Sequence, residues 1–307
     1  MTAARVEVRI PSHGEQLAGY LYRPEPAGAP VPCVVMAHGF SATRDDGLPG
    51  YAEAFRDAGF AVLLFDYRHF GASTGRPRQL LDIARQQDDY RAAVAWARHA
   101  EGIDPDRIVL WGSSFSGGHV VSVAAGDPRI AAVIAQAPYT DSLPVIRRMP
   151  VRNLLRASVA ALRDSAGAIL GRPPILIPAV GAPGTFAAMT EPDALSGFTA
   201  IVGPDSLWRN EIAARLMLTM PGYRPVRAAE RLTMPVLFCV CDADTTTPPS
   251  STITAAESAP RGELRHYPYG HFAIYTDPQV KIDQVEFLNR VLGGPNRLPP
   301  NATRRPN

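Results

Sequence analysis

The chain has 307 residues, of which 46% are hydrophobic and 20% charged, the composition of a globular protein that buries a large core. The formal net charge is only +2, and the basic residues, of which Lys281 is the single lysine, alternate with acidic ones, so we expect no nucleic-acid partner. No apolar stretch has the roughly 18 residues of a membrane span. The N-terminal MTAARVEVRIPS lacks the apolar core of a signal peptide, so we expect no membrane association.

The cysteines, Cys33, Cys239 and Cys241, are few and odd in number. This argues against a disulfide framework and for a reducing compartment, so we predict a cytoplasmic protein. Cys239 and Cys241 would face the same side of a strand. No Cys or His stands at metal-ligand spacing from them, so we predict buried thiols and no metal site.

Eight short apolar runs predict strands, and several are continuous in Val, Ile and Leu, as expected of strands covered on both faces. In chain order they are residues 5–10, 17–23, 32–38, 61–67, 107–113, 130–137, 235–241 and 263–268. Helical patterns occupy residues 49–58, 78–100, 116–125, 249–258 and 278–292. This alternation predicts an α/β fold with a mostly parallel eight-stranded sheet and helices on both faces. The first two runs have no helix between them, which predicts an antiparallel hairpin at the sheet edge.

The alternation of strands and helices stops over residues 141–231. This segment, hereafter the insertion, contains helical patterns and a Pro/Gly-rich stretch, and its run DSLWRNEIAARL predicts a helix over residues 205–216. We therefore expect a core formed by residues 1–140 and 232–295, a helical insertion, and a disordered tail over residues 296–307.

The stretch LWGSSFSGGH, residues 110–119, joins a predicted buried strand to a predicted helix. A nucleophile elbow has this context, because the chain turns sharply between small residues and lifts one hydroxyl out at the carboxyl edge of the sheet. The N-terminus of the following helix favours negative charge at that hydroxyl. Ser114 is therefore the predicted nucleophile, and Ser113 and Ser116 are alternatives that would need a different turn.

These residues resemble the G-x-S-x-G elbow of the α/β-hydrolase family, with Ser116 in place of the second glycine and Gly117 and Gly118 directly after it. Residues 65–75, FDYRHFGASTG, are similar to the family's D-x-R-G-x-G-x-S stretch, except that His69 replaces a glycine. The resemblance implies that an acid and then a histidine follow the nucleophile along the chain.

The implied acid is Asp244, in the loop DADTTTPP after the strand PVLFCVC, and Asp242 and Asp66 are the alternatives. The implied base is His271, in YGHFAIY after the last strand, whereas His266 lies within that strand and is expected to be a packing or surface residue. A serine hydroxyl needs such a base to take its proton, and the base needs an acid that orients it.

The developing oxyanion needs hydrogen-bond donors. The backbone N–H of Phe115 is one candidate, because Phe115 follows the nucleophile and opens a helix. The resemblance to the family's H-G-x turn implies the backbone N–H of Phe40 as the second, and His38 in that turn is expected to be a scaffold residue.

In the family, the segment in the position of the insertion is a lid over the active site. Within it we expect Met149, Phe186 and Trp208 to bind the substrate, in an apolar site for an acyl or alkyl group. An apolar face of the insertion could also support a homodimer.

The resemblance implies a serine hydrolase that cleaves a carboxylic ester, thioester or lactone through an acyl-enzyme on Ser114, without a cofactor. The expected partner is a small-molecule acyl substrate with an apolar part. Peptidase or amidase activity and carbon–carbon bond hydrolysis on the same triad are alternatives, and an inactive hydrolase fold that binds a ligand is another.

Overall fold

A sheet of eight strands forms the centre of the structure, a computed structural model that describes residues 5–25 and 29–293. The strands of the described residues are β1 (Val6–Ser12), β2 (Glu15–Tyr22), β3 (Val31–Ala37), β4 (Ala61–Phe65), β5 (Ile103–Ser113), β6 (Ile130–Gln136), β7 (Leu176–Ile177), β8 (Ile212–Ala213), β9 (Val236–Cys241) and β10 (Gly262–Tyr267). Strands β7 and β8 pair only with each other. The predicted tail, residues 296–307, lies outside the described residues.

The strands of the large sheet lie side by side in the order β1-β2-β4-β3-β5-β6-β9-β10. Strand β2 pairs antiparallel with both β1 and β4, and all the other neighbours are parallel. The predicted mostly parallel sheet with an antiparallel hairpin at one edge is therefore confirmed. Because the six parallel strands all end at the same edge, the loops that follow them meet there.

Helices cover both faces of this sheet. They are α1 (Pro49–Asp57), α2 (Ile83–His99), α3 (Phe115–Ala124), α4 (Ser142–Arg148), α5 (Val151–Ile169), α6 (Ala194–Ile201), α7 (Leu216–Thr219), α8 (Pro249–Ser258) and α9 (Pro278–Leu292). Successive residues of β3 alternate between two cores, since Cys33 and Val35 pack with α2, α3 and α8, whereas Val34 and Met36 pack with α1 and α9. No helix of the described residues is both long and apolar enough to cross a membrane.

The second predicted helix begins later than its apolar pattern suggests. The prediction of 78–100 is wrong at its start, because α2 begins at Ile83 and the Asp82 carboxylate accepts a hydrogen bond from the Arg85 N–H as the N-cap. Gln79 has a φ of 59°, which is outside the right-handed helical region.

The insertion contains α4 to α7 and the short β7–β8 pair. The predicted helix over 205–216 is wrong, since only its last residue is helical, as the first residue of α7. Asn210 instead accepts a hydrogen bond from the Val180 N–H and donates one to the Val180 carbonyl, at 2.8 and 2.9 Å. Ile212 pairs with Ile177 in β7. These contacts with distant residues outweigh a modest local helix propensity.

Candidate active site

The turn between β5 and α3 holds Ser114 in a strained conformation. Ser114 has a φ of 57° and a ψ of −120°, a region that L-residues rarely adopt. Its backbone is fixed from both sides, because its N–H donates to the Gln136 carbonyl at 2.9 Å and its carbonyl accepts from the Tyr139 N–H at 2.8 Å. The neighbouring loops therefore hold the hydroxyl at the carboxyl edge of the sheet.

Three glycines around Ser114 allow backbone segments to approach closely. A Cβ added at Gly112 would lie 2.3 Å from the Ser116 carbonyl oxygen, and one at Gly117 would lie 2.7 Å from the Pro138 Cβ. A Cβ at Gly118 would lie 2.2 Å from the Tyr139 carbonyl oxygen. The small residues of this stretch thus have a steric cause, as a sharp strand-to-helix turn requires.

We expect Gly118→Ala to destabilise the fold by about 1–3 kcal/mol or more, since main-chain atoms would have to move to admit the methyl group. The matched change Gly167→Ala, in α5, meets nothing closer than 3.6 Å. It should raise the free energy of unfolding by about 0.5–1 kcal/mol, the ordinary helical preference for alanine. Urea denaturation of both variants measures the difference, and equal stabilities would contradict the packing described.

The other two serines of the cluster have their hydroxyls occupied by buried partners. The Ser113 hydroxyl donates to the Tyr275 hydroxyl at 2.8 Å and accepts from Gln136 at 3.1 Å. The Ser116 hydroxyl bonds those of Tyr67 and Tyr90, at 3.0 and 2.7 Å. Neither hydroxyl contacts a histidine, which leaves Ser114 as the candidate nucleophile.

Ser114, His271 and Asp244 converge at the carboxyl edge of the sheet from three distant loops. The His271 Nε2 atom lies 3.0 Å from the Ser114 Oγ atom, and its Nδ1 atom lies 2.7 Å from Asp244 Oδ2. The loops that carry the acid and the imidazole are tied together, because the Ala243 N–H donates to the Tyr269 carbonyl. This is the arrangement in which a base takes a serine proton while an acid orients the base.

Asp244 is held as a charged acceptor. Its Oδ1 atom accepts from the backbone N–H groups of Thr246 and Thr247, and its Oδ2 atom accepts from the Thr247 hydroxyl at 2.7 Å. Burial alone would raise the pKa of Asp244, but His271 and Thr247 outweigh it and hold the pKa below its usual value. The carboxylate therefore stays ionised beside the imidazole.

The electrostatics of His271 set an expected pH dependence. Burial alone would lower its pKa, but the charge and hydrogen bond of Asp244, with the charges of Asp193 and Glu191, raise the pKa above the ordinary 6.5. Because a general base must be neutral, we expect kcat/KM to fall as the pH drops through a value above about 6.5.

A pH–rate profile from pH 5 to 9 tests this expectation, and a limb centred at or below pH 6.5 would contradict it. In an Asp244→Asn variant, the fall of the residual activity with decreasing pH should move to lower pH. The substitution removes the charge that raises the pKa of His271 most strongly.

The alternative acids, Asp242 and Asp66, and the other candidate histidine, His266, bond different partners. Asp242 is exposed and bonds His266 at 2.7 Å. Asp66 is buried and accepts from the backbone N–H groups of Arg44 and Ala72. These carboxylates bond groups other than His271 and brace their own loops.

His38 is a scaffold residue in this structure. Its Nδ1 atom donates to the Gly39 carbonyl at 3.0 Å, and its Nε2 atom accepts from the Tyr67 N–H. Burial lowers the pKa of His38 to about 4, so the ring is neutral at pH 7.

Two turns carry the candidate oxyanion donors against Ser114. A Cβ added at Gly39 would lie 3.2 Å from the Ser114 Cβ, so the main chain of the 38–40 turn approaches the nucleophile closely. Phe115 is the first residue of α3, where a backbone N–H has no partner within the helix. The rings of Phe40 and Phe115 pack edge to face at 5.7 Å, which holds the two turns together.

Two small cavities adjoin Ser114. One, of about 20 Å³, is lined by residues that include Gly39, Phe40 and His271. The other, of about 60 Å³, is largely apolar. Its wall includes four of the chain's seven methionines, namely Met149, Met189, Met217 and Met220. On this scale one water molecule needs roughly 10–15 Å³, so the larger cavity has room for only a few waters.

The three residues expected to bind substrate are placed differently. Met149 lines the larger cavity. Phe186 and Trp208 line neither of these two cavities, and their role in substrate binding stays a prediction. The guanidinium of Arg156 covers the Phe186 ring at 4.8 Å, and Trp208 stacks on Phe198 at 4.8 Å. Both rings are held in packing within the insertion, the ordinary role of large apolar side chains.

Comparison with known proteins identifies the family. The chain is 44% identical to the quorum-quenching protein AidA of Acinetobacter baumannii over 292 residues, which are 94% of this chain and 96% of that protein. The crystal structure of the alpha/beta hydrolase GrgF from Penicillium sp. sh18 superposes with a TM-score of 0.80 at 24% identity, covering 95% of this chain and all of that one. The chain belongs to the α/β-hydrolase superfamily.

Two further similarities relate this α/β-hydrolase to proteins of named activity. Residues 13–149 match the sequence model of the X-Pro dipeptidyl-peptidase (S15) family. The thiohydrolase aneE of Aspergillus aculeatus is 34% identical over 69% of this chain and 63% of its own length. Together with the fold, these similarities make the chain a hydrolase.

Some residues of this α/β-hydrolase site had no role in the sequence-based expectations. Thr247 was not predicted, although a buried carboxylate needs donors and the threonines after Asp244 are the nearest ones. Glu191 lines the larger cavity, yet its surroundings in the sequence, MTEPD, resemble an exposed loop. The three cysteines are free and buried.

Proposed function

We propose that this α/β-hydrolase is a serine hydrolase that cleaves a carboxylic ester, thioester or lactone through an acyl-enzyme on Ser114. The observation that carries the proposal is the distance of 3.0 Å between the Ser114 Oγ and His271 Nε2 atoms, at a strained elbow. The thiohydrolase name of one relative supports the thioester as one of the three substrate classes.

In the first half of the reaction, the Ser114 oxygen attacks the substrate carbonyl while His271 Nε2 takes the hydroxyl proton. Asp244 holds the imidazole so that Nδ1 carries a hydrogen, and stabilises the imidazolium that forms. The backbone N–H groups of Phe40 and Phe115 stabilise the oxyanion of the tetrahedral intermediate. The imidazolium then gives its proton to the departing alcohol, thiol or ring oxygen, which leaves an ester on Ser114.

In the second half, His271 takes a proton from water, and the hydroxide attacks the acyl-enzyme carbonyl. The same oxyanion donors stabilise the second tetrahedral intermediate. Its collapse returns the proton from His271 to the Ser114 oxygen and releases the carboxylic acid. No redox change or cofactor is needed for this sequence of steps.

The larger cavity supports an apolar acyl group. Its four methionines have flexible, polarizable side chains that fill irregular space, so the wall adapts to acyl chains of different shape. Ser114 is 7% exposed and His271 is 2% exposed, so the substrate needs a path that the described structure holds closed. We propose that the insertion acts as a lid that opens this path.

A substrate panel tests the proposal. Among p-nitrophenyl esters, kcat/KM should rise a few-fold per methylene from acetate to butyrate, as the chain fills the apolar cavity. Thioesters and γ- and δ-lactones complete the panel. The proposal would be overturned if the enzyme hydrolysed none of the compounds in the panel.

Peptidase or amidase activity remains the second candidate, because the match over residues 13–149 is to a dipeptidyl-peptidase family. The p-nitroanilide of each acyl group, measured beside the p-nitrophenyl ester, separates the two candidates. Faster turnover of the anilide than of the ester would favour the peptidase.

Two expectations about the whole molecule also stay predictions. A cytoplasmic location rests on the three free, buried cysteines. A homodimer would use the exposed apolar side chains on one face of α5, where Val151, Leu155, Val159 and Leu162 are spaced as one helical stripe.

A further inference from the structure

The larger cavity beside Ser114 contains unsatisfied polar atoms among its apolar walls. The Glu191 Oε2, Thr246 Oγ1 and Tyr139 hydroxyl oxygen atoms are buried and have no hydrogen-bond partner within the described residues. All three residues line this one cavity, together with Ser114. They come from the insertion, from the loop after β9 and from the loop after β6, so the fold rather than the local sequence brings them together.

An unsatisfied carboxylate oxygen in an apolar cavity is unfavourable, because it has lost hydration without gaining a donor. Burial raises the pKa of Glu191, and the nearby backbone N–H groups of residues 190 and 191 and the charge of His271 only partly offset this effect. A buried acceptor in this condition is satisfied when a ligand brings a donor to it.

Thr246 adds the complementary group. Thr246 lines the cavity and is only 5% exposed, and its hydroxyl has no hydrogen-bond partner among the described residues, so it is available as a donor. An acceptor at Glu191 and a hydroxyl donor at Thr246 match the N–H and C=O of a secondary amide. The apolar remainder of the wall disfavours a charged group on the ligand.

We propose that Glu191 and Thr246 form a polar subsite that binds a secondary amide in the acyl part of the substrate, next to the scissile carbonyl. This inference rests on the proposed function, because the cavity shares Ser114 with the catalytic site. Glu191 accepts a hydrogen bond from the amide N–H, and Thr246 donates one to the amide oxygen. The preferred substrate is then an acyl compound with an amide close to the carbonyl that Ser114 attacks.

Two p-nitrophenyl esters of equal length test the subsite. The N-acetylglycine ester and the 4-oxopentanoate ester differ only in that an N–H of the first is a CH₂ of the second. Their intrinsic reactivities differ, so the informative quantity is the ratio of their kcat/KM values in each variant divided by the same ratio in the unmodified enzyme.

Glu191→Leu removes the acceptor and should lower the amide-to-ketone ratio by roughly 10- to 100-fold, the range for a hydrogen bond to a charged acceptor. Glu191→Gln keeps a neutral acceptor and should lower the ratio less. Thr246→Val should slow both esters, because the ketone and the amide oxygen both accept from its hydroxyl. Glu257→Gln changes an exposed glutamate of α8 and should leave the ratio unchanged.

The outcomes separate the subsite from the proposed function. Hydrolysis of both esters with an unchanged ratio in Glu191→Leu would overturn the subsite while leaving the hydrolase intact. A uniform slowing of both esters in that variant would assign Glu191 a charge effect on His271 and also overturn the subsite. An enzyme that hydrolyses neither ester would contradict the proposed function, and the subsite with it.

Folding is checked independently by thermal unfolding of each variant. Glu191→Leu should keep or raise the Tm, because it removes an unpartnered buried oxygen. A raised or unchanged Tm together with a lost amide preference supports a binding role for Glu191. A preserved preference in a stable Glu191→Leu variant overturns it.

Discussion

Ser114→Ala is expected to lower kcat for p-nitrophenyl esters by about 10⁴- to 10⁶-fold. The reason is that the substitution removes the hydroxyl that lies 3.0 Å from the His271 Nε2 atom, and the neighbouring serines cannot replace it. Their hydroxyls are bonded to Tyr275 and to a buried pair of tyrosines.

The control for this substitution is Ser122→Ala, which makes the same chemical change farther along α3 and should leave kcat within a factor of two or so. Far-UV circular dichroism should show the same fold in both variants, since alanine fits wherever serine does. Turnover above about one hundredth of the normal rate in Ser114→Ala, once contamination is excluded, would mean that another residue is the nucleophile.

Asp244→Asn is expected to lower kcat by about 10³- to 10⁴-fold. The amide cannot match the charge that stabilises the imidazolium, and its NH₂ group competes as a donor for His271 Nδ1, which favours the wrong tautomer. The loop should keep its shape, because the asparagine oxygen still accepts from the backbone N–H groups of Thr246 and Thr247.

Asp242→Asn is the matched control for the acid, because Asp242 lies two residues away, is exposed and bonds only His266 among the described contacts. Its kcat should be near normal. Stopped assays at pH 8 measure both variants. A severe loss in Asp242→Asn together with near-normal turnover in Asp244→Asn would exchange the roles of the two carboxylates.

The sheet could be predicted from the sequence because its strands carry their own signal. Continuous apolar runs such as that of β9, VLFCVC, are buried on both faces, and burial on both faces is what makes such a run continuous. The elbow carried a signal of the same kind, since the close approach at Gly112 and Gly118 excludes any side chain. Burial of the strands and close approach at the elbow both restrict residues that are near one another in the sequence, so both leave a local sequence pattern.

The insertion could not be predicted as well, because its structure depends on contacts between distant residues. Asn210 bonds the main chain of Val180, and Ile212 pairs with Ile177. Neither contact can be predicted from the residues that are adjacent in the sequence. The same holds for Glu191, which lines the cavity beside Ser114 together with residues that are distant in the sequence. Trp208 packs against Phe198, a contact that its size alone does not predict, and its role in binding stays a prediction.

Labelling with a fluorophosphonate is the most direct test that Ser114 is an activated nucleophile. The folded protein should gain one covalent adduct, seen by intact mass spectrometry, and peptide mapping should place it on Ser114. Prior heat denaturation should prevent the reaction, because activation depends on His271 at 3.0 Å. Absence of an adduct on the folded protein, or an adduct on a residue other than Ser114, would contradict the account.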